Sequence, residues 1–183
     1  LGLGMVANKS DMGGAANAAS TLVDKENVNA VIGSYGSSLS IAGGEIFKNA
    51  KIPAVGASCT NPMVTLDNEY YSRVCFIDPF QGTVMANYAF GKLNAKKVAI
   101  VQEVSNDYAV GLAKFFTDSF KKLTGDDKSI VAVANYNTGD TDFSAQLTNI
   151  KALNPDVIFA PGNFTESAAL TKQARELGIT API

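Results

Sequence analysis

Residues 30–62 read AVIGSYGSSLSIAGGEIFKNAKIPAVGASCTNP. An apolar run leads into a turn of glycines and serines. A helix-length segment follows with Leu39, Ala42, Ile46 and Phe47 at three-to-four spacing, then a second apolar run at residues 54–56 and a second hydroxyl-rich turn. The pattern is that of a strand, a crossover helix and a parallel strand. Ser34, Ser37 and Ser38 follow the first strand, whereas Ser58, Thr60 and Asn61 follow the second. In a parallel sheet both turns fall at the carboxyl-terminal edge, where open α/β sheets bind ligands. The first turn also opens a helix, whose free N–H groups and positive dipole end suit a small anion such as a carboxylate. Helix capping by the serines is the structural alternative.

The same alternation runs outward in both directions. Apolar runs at residues 3–7, 98–102, 130–135 and 157–160 predict further strands buried on both faces. Helical stripes lie between them: Ala15, Ala19, Leu22 and Val23; Val84, Met85, Tyr88 and Leu93; Leu112, Phe116, Phe120 and Leu123; Phe143, Leu147 and Ile150; Ala169, Leu170 and Leu177. The fold class is α/β with doubly wound parallel sheets. The rhythm breaks once, at residues 70–79. Pro79 biases Asp78 towards extended backbone, so a crossing segment ends there and a new helix starts near Phe80. This divides the chain into lobes at residues 1–77 and 78–183.

Bulk properties narrow the function. The chain has 183 residues, 46% hydrophobic and 17% charged, with a net charge of −2. Its lysines are scattered, so no basic stripe for nucleic acid exists. No apolar run approaches the ~20 residues that span a bilayer. The sequence has no histidine, which removes the commonest general base and the usual catalytic zinc ligands. Neither a Walker A loop nor a GxGxxG fingerprint is present, and Gly2-Leu3-Gly4 begins a strand rather than following one. An enzyme is therefore disfavoured, and no cofactor or metal is implied. Cys59 lies in the second turn and Cys75 in the apolar run 74–77; both read as buried thiols acting as small hydrophobes.

Three more turns sit at carboxyl ends of strands or open helices. Ser105-Asn106-Asp107-Tyr108 reads as an N-cap whose tyrosine could close over a ligand. In Gly139-Asp140-Thr141-Asp142-Phe143 the acids have a structural role at a helix start, with Phe143 entering the core. Pro161-Gly162-Asn163-Phe164 ends the last strand at the same edge.

Asn8-Lys9-Ser10-Asp11, VIGSYGSS, ASCTNP, RVCFIDPFQG, Tyr108-x-x-Gly111-Leu112-Ala113, GDTDFSAQL and KQARELGI occur in this order over nearly the whole chain. Together they resemble type I periplasmic-type substrate-binding proteins of the Leu/Ile/Val class, the receptors of branched-chain amino-acid ABC importers. The resemblance implies two lobes that hold an amino acid between them. Ser37 and Thr60 would bind its carboxylate, the Ser58 carbonyl its ammonium, and Tyr108 would close from the second lobe. Asn163 stands where leucine-type receptors commonly carry a tyrosine, which favours a more polar or differently oriented ligand group. The implied partners are a small amino acid and the membrane permease of an ABC importer, in an extracytoplasmic setting (the periplasm, or the cell surface as a lipoprotein). The ligand-sensing core of a regulator with the same fold is the alternative. Relative to the family pattern, the first strand and helix and the return segments after Ile183 are absent. A receptor truncated in this way is expected to self-associate or to be marginally stable.

Overall fold

A computed structural model describes residues 2–183 and divides them into two compact units, residues up to Ile77 and Asp78–Ile183. Unit 1 contains α1 (Met12–Asp24), β1 (Val31–Ile32), α2 (Ser37–Ala50), β2 (Ala54–Gly56), a 3₁₀ turn at Pro62–Val64 and β3 (Tyr71–Arg73). Its three parallel strands stand in the order β1-β2-β3, with Val31 opposite Ala54 and Gly56 opposite Arg73. Asp11 starts α1 by accepting the Gly14 N–H at 2.7 Å. Ala19, Val31, Phe47, Ala54, Cys59, Val64 and Tyr71 form one core under the helices.

Unit 2 contains α3 (Asp78–Gly91), β4 (Val98–Glu103), α4 (Asp107–Thr124), β5 (Ile130–Tyr136), α5 (Ser144–Leu153), β6 (Val157–Phe159) and α6 (Phe164–Glu176). The parallel sheet order is β5-β4-β6. β4 alternates between two cores. Val98 and Ile100 meet Leu112, Phe116 and Phe120 of α4, whereas Ala99 and Val101 meet Leu147 and Ile150 of α5 and Leu170 of α6. The rings of Phe116 and Phe159 stack at 4.0 Å between centroids.

Five expectations need correction. Residues 3–7 form no strand; Leu3 and Met5 are each 89% exposed, because the segment has no ladder partner to satisfy its backbone. Burial on both faces holds for β4 and β6, but Ile32 is 85% exposed on β1 and the edge strand β5 exposes Val133. α3 begins at Asp78 rather than near Phe80, with Pro79 in the first turn, where its missing N–H costs nothing. That helix also buries Gly82, Ala86 and Ala89 and leaves Val84, Met85 and Tyr88 exposed. The small residues let α3 approach α4 closely: a Cβ on Gly82 would come within 2.7 Å of Phe116 N. Finally, residues 74–77 are not a strand, and Cys75 is half-buried while Cys59 is fully buried.

Candidate functional site

The two hydroxyl-rich turns of unit 1 lie at the carboxyl ends of neighbouring parallel strands and are tied together. The Asn61 N–H donates to Ser37 Oγ at 3.1 Å, and Ser58 Oγ donates to the Tyr35 carbonyl at 2.9 Å. Ser37, Ser58 and Thr60 are thus brought into one pair of turns. Ser37 does not cap α2: it is the first residue of the helix, and the cap position is Gly36, which has no side chain to satisfy the first-turn N–H groups. Capping is therefore not what Ser37 does here. Thr60 is buried, and its Oγ1 has no hydrogen-bond partner among the described residues. An unsatisfied buried hydroxyl costs ~1–3 kcal/mol, so in a functional protein it marks a place where something else completes the bond.

Strand β3 braces both turns. Tyr71 and Arg73 share one face by the period of two. The Tyr71 hydroxyl donates to the Gly33 carbonyl and accepts from the Ser34 N–H at 3.1 Å; burial raises its pKa. Asn8 Nδ2 adds a 2.5 Å bond to Ser34 Oγ. Arg73 reaches the second turn, donating to the carbonyls of Cys59, Asn61 and Pro62 and to Thr65 Oγ1 at 2.6–3.1 Å.

In unit 2 the carboxyl edge is built from acceptors. Glu103 ends β4 and is buried. Its carboxylate accepts from Thr138 Oγ1, from Asn106 Nδ2 at 2.9 Å and from Asn163 Nδ2 at 3.4 Å. Glu166, also buried, accepts the Gly139 N–H at 2.9 Å in the first turn of α6, where the helix dipole favours an acid. Burial, then the charges of Glu103 and Glu166, hold the Tyr136 hydroxyl far above its ordinary pKa. No ion pair reaches either glutamate among the described residues; the salt bridges are all on the surface.

Asn163 is half-buried at the start of α6 and does not cap it. An ionised carboxylate only accepts, so the amide NH₂ faces Glu103 and the amide oxygen is presented elsewhere as an acceptor. Tyr108 is half-buried, packs beside the α3–α4 core and accepts from Gln81 Nε2 at 3.3 Å. Its N–H donates to Asn106 Oδ1, so Glu103 and Asn106 link Asn163 to the start of α4. Asp140 and Asp142 are structural: the first accepts the Asn137 N–H, and the second accepts from Ser144 N–H and Oγ, which lowers its pKa. Among the described residues no acid and sulfur cluster could hold a metal, and no helix is long and apolar enough to cross a membrane.

Sequence reasoning missed the roles of Arg73, Tyr71 and Glu103. The signal for Glu103 was present, since a lone acid closing the apolar run VAIVQ is out of place in a buried strand.

Residues 7–183 match the family described as periplasmic binding protein. The chain belongs to that family. It is 34% identical to an amino acid binding protein of Pseudomonas aeruginosa over 166 residues, 89% of this chain and 43% of that protein. Identity to Leu/Ile/Val-binding protein homolog 1 of Brucella abortus is 27% over 157 residues, 85% of this chain and 41% of that one. Among solved structures, the leucine binding protein LivK of Thermotoga maritima superposes with a TM-score of 0.90 at 43% identity. LivJ of Streptococcus pneumoniae, a branched-chain amino acid transporter substrate binding protein solved with isoleucine, gives 0.87 at 38%. Each alignment covers 96% of this chain and 49% of the solved one. The periplasmic binding protein fold is thus that of the Leu/Ile/Val receptors, and the chain spans about half the length of the relatives it matches. These relatives are binding proteins, not enzymes.

Proposed function

We propose that this chain forms part of the extracytoplasmic substrate receptor of an amino-acid ABC importer and binds a small aliphatic or branched-chain amino acid. Residues 1–77 would belong to the first lobe and residues 78–183 to the second. Ser37 and Thr60 hold the ligand carboxylate, the Ser58 carbonyl meets its ammonium, and Tyr108 and Asn163 contact the same ligand. A membrane permease is the partner that receives the cargo, and the setting is the periplasm, or the cell surface with the receptor held as a lipoprotein. The supporting observation is the orphaned, buried Thr60 hydroxyl beside Ser37 at the start of α2. A carboxylate would satisfy that hydroxyl and add charge-assisted bonds to the N–H groups of the helix start.

Calorimetry of the full-length protein against leucine, isoleucine, valine, alanine and a polar set tests the reading. Saturable heat from one amino acid is expected, and Thr60→Ala should weaken it about 10- to 100-fold, the worth of one charge-assisted hydrogen bond. Unchanged affinity in Thr60→Ala would remove the carboxylate site. Asn163 presents an acceptor, so a ligand side chain with a donor is expected to gain relative to its aliphatic isostere.

A further inference from the structure

We propose that Arg73 is the positioning residue of the carboxylate-binding turn: its guanidinium sets the shape of residues 59–65 and so aims Thr60. The inference rests on the function proposed above for Thr60, but its geometry stands apart from it. One side chain supplies four hydrogen bonds to a single turn. Nη1 bonds the Cys59 carbonyl at 2.9 Å and the Asn61 carbonyl at 2.7 Å, and so grips the residue on each side of Thr60. Nη2 bonds the Pro62 carbonyl at 3.1 Å and Thr65 Oγ1 at 2.6 Å. Within the turn the Val64 N–H reaches the Asn61 carbonyl at 3.2 Å and the Thr65 N–H the Pro62 carbonyl at 3.3 Å. Arg73 adds a second bond to each and also takes the Cys59 carbonyl, so it ties these oxygens to one another. A planar fork with five fixed donors does this where an ammonium on a flexible stem cannot.

The parallel register explains how Arg73 gets there. It lies opposite Gly56, the last residue of β2, so its side chain leaves the sheet at the edge where the second turn begins. The Val74 N–H donates to the Gly56 carbonyl at 3.1 Å and holds the strand end in that register. Arg73 has no acidic partner among the described residues: its four hydrogen bonds all go to neutral oxygens. Its full positive charge therefore stands behind the turn that carries Thr60. It favours an anion there without touching it, in addition to shaping the turn. Replacing Arg73 by lysine separates the two effects, because the charge stays and the fork goes.

The test uses the full-length protein with Cys75 and every cysteine outside residues 1–183 replaced by serine, so that Cys59 is the thiol that reports. Cys59 is fully buried and its carbonyl is one of the four acceptors, which makes its reaction with dithiobis(nitrobenzoate) a direct readout of the turn. Arg73→Lys should speed Cys59 labelling about tenfold at unchanged far-ultraviolet circular dichroism, and weaken leucine binding about tenfold, as expected when a turn held by charge-assisted bonds is released. Thr60→Ala should then cost less than about twofold more in the Arg73→Lys protein, since coupled groups are not additive. Wild-type labelling in Arg73→Lys, or an undiminished Thr60 effect, would overturn the proposal. If Arg73→Lys does not fold, Thr65→Val removes one acceptor only. It should speed labelling about threefold, whereas an unchanged rate is again fatal. A wild-type protein that binds no amino acid, while Arg73→Lys still releases Cys59, would defeat the receptor reading and leave the brace standing.

Discussion

The two units each build a three-stranded parallel sheet, yet only one covers both faces. In unit 2 the chain leaves β4 for β5 on one side and then returns past β4 to β6 on the other. Right-handed crossovers taken in opposite directions place their helices on opposite faces. This is why α4 packs on one core and α5 and α6 on the other. In unit 1 the strands step one way only, β1-β2-β3, and the described helices serve a single core. Ile32 and Val55, paired in register, face away from it. The reversal also accounts for the acceptor cluster of unit 2. Glu103 ends β4 and Asn163 follows β6, the adjacent strands whose following helices diverge, which is a topological switch point. The lesson is that strand order, not strand composition, decides both coverage and where a crevice opens.

The contrast can be broken in several ways. Phe116→Ala should cost unit 2 about 3–5 kcal/mol in denaturant unfolding, whereas Ile32→Ala should change stability by less than about 0.5 kcal/mol. Equal costs would mean that the exposed face of unit 1 is covered after all. Next, Glu103→Gln should destabilise unit 2 by about 1–3 kcal/mol, since a carboxylate serving three donors is replaced by an amide that must donate as well. It should also release the amide of Asn163 and lower the preference for threonine over valine in binding. An unaltered preference would show that Glu103 does not fix that amide. Ile32→Lys should shift the 183-residue chain towards monomer in light scattering, because the proposed self-association needs its bare apolar face. A wild-type chain already monomeric, with a sharp cooperative melt, would end that proposal.

The smallest effect is a pH dependence. Asp156 accepts the N–H of Lys96 at 2.7 Å and of Lys97 at 2.8 Å. The Lys96 bond chiefly lowers its pKa. The folded pKa lies below the unfolded one, so the stabilisation is complete above about pH 4 and is lost as pH falls through the folded value. Because the carboxylate is exposed, Asp156→Asn should flatten acid unfolding of unit 2 by less than about 1 kcal/mol.

Much of this could be read from residue types. The turns at Ser37 and Thr60 were legible because glycines and hydroxyls punctuate apolar runs, and the α4 stripe because Leu112, Phe116 and Phe120 are large. α3 misled because its buried face is Gly82, Ala86 and Ala89, and small residues leave little trace in a hydropathy pattern. Residues 3–7 have the composition of a strand, but a strand exists only with a partner, which composition cannot name. Arg73 was the hardest. Its partners are mostly backbone carbonyls, which every residue has, so no pair of side chains advertises the contact. The Ser37 turn could be read as the link between a strand and a helix, yet the bond to Asn61 could come only from three dimensions.

That bond carries a consequence for what the turn can recognise. The Asn61 N–H occupies one of the two lone pairs of Ser37 Oγ, so the hydroxyl keeps its proton and a single lone pair for any other partner. A carboxylate takes that proton in a hydrogen bond and meets the positive end of α2, whereas an alkylammonium finds one lone pair and the same positive end set against it. The turn reads the electronic sign of the incoming group before shape has any say.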